Sequence, residues 1–161
     1  MTRDRDPGGR ARNARPRDGL GRPLPRSAAG DQDAPRIPDD LAVTPAEAAE
    51  YGGRLLAEGR PFHAHEVFEA AWKSTPASDR ELWRGLAQIA VGVTHARRGN
   101  AAGAIALLRR GAGHVREHPA NDAGVDAVAV AARAEELAAR IDRDGLAAVP
   151  EPDLRLSLGP R

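Results

Sequence analysis

From residue 44 onward, apolar positions recur at three- and four-residue intervals, and no segment alternates with period two for long, so the pattern is helical. Thr44-Pro45-Ala46-Glu47 combines a capping Thr, a Pro at the first helical position and a Glu at the third. This capping box predicts a first helix that stops near Gly59. A second helix starts after Pro61 and reaches about Lys73, because Ser74-Thr75-Pro76 cannot continue it. Ser78-Asp79-Arg80-Glu81 reads as another capping box, opening a long helix that ends at Arg97-Arg98-Gly99. Asn100 can cap the next helix at once, with Ile105, Leu108, Ala112 and Val115 as its apolar face. A last helix is predicted from about Asp122 to Arg143, carrying Val125, Val128, Ala132, Leu137 and Ile141. Pro150, Pro152 and Pro160 then mark an extended C-terminal strap. The fold class is all-α, a compact bundle of about five helices.

The third helix is apolar nearly all round. Leu82, Leu86, Ile89 and Val93 form one face and Trp83, Ala87 and Ala90 the next, which makes it central. Its remaining face carries Gly85, Gln88, Gly92 and His95. A glycine inside a helix costs about 1 kcal/mol relative to Ala, so two of them imply that something needs the space. That space serves either a close helix crossing or the approach of the second helix.

The second helix holds the most informative segment, Phe62-His63-Ala64-His65-Glu66-Val67-Phe68-Glu69-Ala70-Ala71-Trp72. At 100° per residue Phe62, His65, Glu69 and Trp72 fall on one stripe, with Glu66 at its edge. An aromatic stripe with a His and a Glu implies burial, and buried ionisable groups need partners. The expected partners are Gln88 and His95 on the third helix.

Composition separates the bundle from what precedes it. Residues 1–36 hold 5 Gly and 5 Pro but no aromatic, Val or Ile, so they are read as a disordered tail preceding one helical domain over 37–161. That tail carries 9 Arg against 5 Asp, a surplus of +4, which leaves −3 for the rest of a chain whose total is +1. A nucleic-acid arm is the weaker reading of its arginines, since Asp4, Asp6 and Asp18 interrupt them and no aromatic offers a stacking surface. With no Cys and no apolar run after Met1, the chain is expected to be cytoplasmic, with neither disulfides nor a membrane span. Partners and oligomeric state are not legible.

Two blocks, about 62–72 and 82–108, resemble the signature blocks of domain-of-unknown-function family 309, small all-helical proteins. The matching positions are Phe62, His65, Glu66, Glu69 and Trp72 in the first block. In the second they are Gly85, Gln88, His95, Gly99, Asn100 and Gly103. The resemblance implies a compact helical fold and no established activity.

Three chemistries compete for these residues. His65 and Glu69 at four-residue spacing, with His95 as third ligand, could hold a metal ion, leaving Glu66 as a general base; the pattern is HExxE, however, and lacks the second His of a zinc-protease helix. Metal-free acid–base work by His65, Glu66, Glu69 and His95 is the second, although no nucleophile or phosphate-binding loop accompanies it. In the third, the same side chains form a satisfied polar network that fixes helix register in a non-catalytic interaction or scaffold module. Gln88, His95, Trp72 and Asn100 are the candidate ligand contacts. His63 is expected to face away from the stripe, and His114 and His118 to be incidental. Arg97, Arg98, Arg109 and Arg110 around the Gly99-Asn100 turn read as solvated charges rather than an anion site.

Overall fold

Thr44 opens the first helix as the capping box requires: Glu47 N donates to Thr44 Oγ1 at 3.3 Å, and Thr44 N donates to Glu47 Oε2 at 2.8 Å. The computed structural model describes residue 22 and residues 42–159, so the expected tail over 1–36 lies, apart from Arg22, outside the described residues. Five helices follow in order: α1 (Pro45–Ala57), α2 (Pro61–Ser74), α3 (Arg80–Arg97), α4 (Ala101–Arg116) and α5 (Ala127–Asp144). There is no strand among the described residues, and no helix is long and apolar enough to cross a membrane. The all-α bundle of five helices stands as the periodicity predicts.

Each helix packs chiefly on its neighbours in the chain, α3 being clasped between α2 and α4. The core runs through Leu55, Leu56, Phe68, Leu82, Trp83, Leu86, Ile89, Leu108, Val115, Val130 and Ile141, all of them buried. The α3 glycines serve the α3–α4 crossing. A Cβ on Gly85 would lie 2.8 Å from the Gly111 carbonyl oxygen, and one on Gly111 would lie 2.6 Å from the Gly85 carbonyl oxygen. Gly92 meets Leu108 and the Ala104 carbonyl in the same crossing, so it is α4, and not α2, that the missing side chains admit.

Two boundaries differ from expectation for local reasons. The Ser78 box does not form; Asp79 precedes α3 without a side-chain cap, and Glu81 instead lies 3.0 Å from His114 Nδ1 on α4. α5 starts at Ala127 rather than near Asp122, because Asn121 organises a loop first. Its Oδ1 accepts from Val125 N, its Nδ2 donates to the His118 and Val125 carbonyls, and Asp126 then caps α5 through Ala129 N. The predicted apolar face is also corrected, because Val128 and Ala132 lie opposite Leu137 and Ile141 on the helix. Val130, Ala131, Ala134, Leu137, Ala138 and Ile141 are buried, whereas Val128 is 60% exposed and Ala132 faces solvent.

Beyond Gly145, whose φ of 81° ends α5, two short 3-10 turns over Leu146–Ala148 and Glu151–Leu154 lead into extended chain. Here the predicted strap shows a short alternation: Leu154, Leu156 and Leu158 are buried while Arg155 and Ser157 are exposed. Arg133 Nη1 on α5 donates to the Ser157 and Gly159 carbonyls at 2.7 and 2.8 Å, and Arg140 Nη1 reaches Asp153 at 2.6 Å. Arg97, at the end of α3, holds Glu151.

Candidate functional site

α2 divides its surface between two jobs. Ala64, Val67, Phe68 and Ala71 recur at helical spacing and are buried in the core. The stripe of Phe62, His65, Glu69 and Trp72 lies beside them and is half-buried, not enclosed as expected; the aliphatic stripe takes the core and leaves the aromatic and polar one at its margin. Along that margin His65 Nε2 is 3.6 Å from Glu69 Oε2, and Glu69 Oε1 is 3.4 Å from Lys73 Nζ. The His65 ring tilts against Phe62 with centroids 5.9 Å apart.

Opposite this stripe, α3 presents Arg84, Ala87, Gln88 and Val91, one helical face at i, i+3, i+4 and i+7. With Leu107 of α4 and with His65, Glu69 and Trp72 they line a groove of about 490 Å³, a volume in the range of small-molecule sites. Trp72 stands at its edge with the Arg80 guanidinium carbon 5.4 Å from the ring centroid. Two polar atoms on lining residues, Trp72 Nε1 and Gln88 Oε1, are buried and meet no hydrogen-bonding group among the described residues. One is a donor and the other an acceptor.

His65, Glu69, Trp72 and Gln88 therefore come to one groove, and the remaining candidates lie elsewhere. His95 sits seven residues beyond Gln88, about 10 Å along the α3 axis, with its Nδ1 3.0 Å from Asn100 Nδ2. Asn100 in turn accepts from Gly103 N and caps α4. Glu66 Oε2 lies 3.3 Å from His63 Nδ1. Among the described residues no group of three His, Cys, Asp or Glu side chains could hold a metal ion, so His65, Glu69 and His95 are not gathered as a ligand set.

The histidines expected to be incidental have structural roles. His63, which lies off the stripe as its helical position predicts, is only 6% exposed and is held by Glu66. His114 joins α4 to α3 through Glu81, and His118 Nδ1 is 2.9 Å from the His114 carbonyl oxygen. The arginines near the Gly99-Asn100 turn are in part spent on ion pairs, Arg97 with Glu151 and Arg109 with Asp142.

Sequence reasoning missed Arg84, Val91 and Leu107 as groove residues and Arg80 as the cation over Trp72. The signal was present in the spacing of 84, 87, 88 and 91, but only the position of α4 makes that face a floor. A larger cleft of about 830 Å³ lies between the loop before α3 and the loop before α5, lined by Ser78, Asp79, Asn121 and Asp126 among others. Its Asn121 and Asp126 side chains already hold their own loop, which leaves the smaller groove as the better-equipped site.

No curated protein and no solved structure matches the chain. Residues 49–107, which contain every side chain lining the groove, match the model of the family described as Domain of unknown function (DUF309).

Proposed function

We propose that the domain is a binding module for a small organic molecule, seated in the groove between α2 and α4 over α3. The observation that carries this reading is the pair of buried polar atoms, Trp72 Nε1 and Gln88 Oε1, on residues lining one groove. Leaving a buried donor or acceptor unsatisfied costs about 1–3 kcal/mol, so a ligand offering one acceptor and one donor recovers that cost twice while covering Ala87, Val91 and Leu107. His65 and Glu69 line the same groove with their polar ends 3.6 Å apart, in position to orient the ligand.

The interaction-module reading is less well supported, because Val128 is the one large apolar side chain that stands exposed among the described residues, and it is on α5, away from the groove. The metal reading is weaker again, since His95 is committed to Asn100.

Nuclear magnetic resonance on the labelled full chain tests the proposal. Small aromatic amides should shift the indole N–H resonance of Trp72 while leaving that of Trp83, buried in the core, in place. Shifts confined to the loops around Asn121, or none at all at millimolar fragment, would refute it. Elemental analysis of the purified protein is the second check, and a stoichiometric transition metal would displace this reading in favour of a metal centre.

A further inference from the structure

The charges around the groove are uneven. Lys73 and His65 both lean on Glu69, and Arg84 Nη1 is 3.5 Å from Glu81, whose Oε2 is also 3.0 Å from His114. Among the described residues, no carboxylate lies within ion-pair distance of Arg80, which is exposed over the Trp72 ring. Lys73, Arg80 and Arg84 thus oppose Glu69 and Glu81, a local excess of positive charge on a chain whose residues 37–161 carry a net −3. Arg84 lines the groove beside its apolar floor, and its contact to Glu81 is long for a guanidinium–carboxylate pair.

We infer that the ligand of this groove is a small amphipathic carboxylate, its flat apolar body against Trp72, Val91 and Leu107 and its carboxylate taken by the Arg84 fork with Arg80 beside it. This rests on the proposal that the groove binds an organic molecule and adds the charge of that molecule. The planar guanidinium matches a carboxylate with two parallel N–H donors, whereas an ammonium cannot. Sharing Glu81 with His114 leaves Arg84 a partner that it can exchange for the ligand without stranding the acid. A cationic ligand would meet Arg80 and Arg84 and is disfavoured by the same charges.

A matched pair of probes separates charge from shape: 1-naphthoate and 1-naphthamide share one body and differ in the anion. Titrated into the full chain by calorimetry, naphthoate should bind about tenfold or more tightly than the amide, as expected of a charge-assisted bidentate contact. Arg84→Gln should abolish that preference, and Arg84→Lys should keep only part of it. Because Arg84 is exposed, both variants should keep the parent circular dichroism spectrum and unfolding midpoint. Equal binding of the two probes by the parent, or a preference that survives Arg84→Gln, would overturn the carboxylate inference while leaving a groove for neutral ligands. If neither probe binds at millimolar concentration, the groove reading fails and this inference with it.

Discussion

Replacing Gly111 by Ala tests the helix crossing that sets the height of α4 over α3, and therefore the width of the groove beside it. A Cβ at Gly111 would sit 2.6 Å from the Gly85 carbonyl oxygen, 2.8 Å from Ile89 Cγ1 and 3.0 Å from Ile89 N. Two of those three atoms are backbone of α3 and cannot swing aside, so the helices must separate. Overpacking of this kind costs about 1–3 kcal/mol, while Ala in place of Gly in a helix returns about 1 kcal/mol. The expected net effect is a loss of up to about 2 kcal/mol, or several degrees in the unfolding midpoint of a domain this size. Gly113, two residues along the same helix, supplies the control, because a Cβ there meets nothing within 4 Å. Gly113→Ala should therefore stabilise by about 0.5–1 kcal/mol through propensity alone. Urea unfolding of both variants followed by circular dichroism measures the difference, which should reach about 2 kcal/mol in favour of Gly113→Ala. If Gly111→Ala proves as stable as Gly113→Ala, α3 and α4 do not cross at the Gly85–Gly111 contact.

Four further outcomes follow from other elements. Thr44→Ala should cost about 1 kcal/mol in urea unfolding by removing the α1 cap, and a change near zero would mean that α1 frays in the parent. The Thr44 backbone N–H, followed by its hydroxyl, holds the Glu47 carboxyl below its ordinary value, and Arg155 followed by Arg97 does the same for Glu151. A depressed carboxyl contributes stability above its unfolded pKa and loses it as pH falls through the folded one, so midpoints should drop below the ordinary glutamate range and Glu151→Gln should flatten that drop. The double substitution His65→Ala with His95→Ala should be additive within about 0.5 kcal/mol, because the two side chains serve different partners; a larger coupling would place them in one network. Removing residues 1–36, which contain no aromatic, Val or Ile, should leave the unfolding midpoint unchanged, and a drop of many degrees would make that segment part of the fold.

What the sequence made legible was local, and what it hid depends on which helix faces which. Thr44 and Asn100 cap as read because a cap needs only its own next three residues. Ser78 did not cap, because Glu81, its intended partner, meets His114 from a helix more than thirty residues away. The α5 face was misplaced because Val128 and Ala132 lie on the side of one helix opposite Leu137 and Ile141, so burying the latter pair turns Val128 outward and brings Val130 and Ala134 in. The Leu154, Leu156 and Leu158 alternation was too short to register as a period, yet it seats the strap, with Leu158 lying over Gly53 of α1. In the candidate site, half of the grouping was readable because His65, Glu69 and Trp72 share one stripe of one helix. That His95 leaves the group follows from helical rise, which separates residues that an angular projection superimposes.

The division of α3 among its neighbours ties these features to the proposed site. Its glycine face, Gly85 and Gly92, is used entirely by α4, and Leu82, Trp83, Leu86 and Ile89 supply the core. One strip remains, Arg84, Ala87, Gln88 and Val91, too polar at one end to be buried and too apolar at the other to be plain surface. Bringing α4 close through Gly85 and Gly111 places Leu107 along one side of that strip, while α2 places Trp72 along the other. The glycines that appear wasteful as helix formers are then what gives the groove its second wall. A substitution that pushes α4 away should weaken the core and move Leu107 from the site together. Ligand binding and global stability should accordingly fall together in Gly111→Ala, whereas Arg84→Gln should touch binding alone.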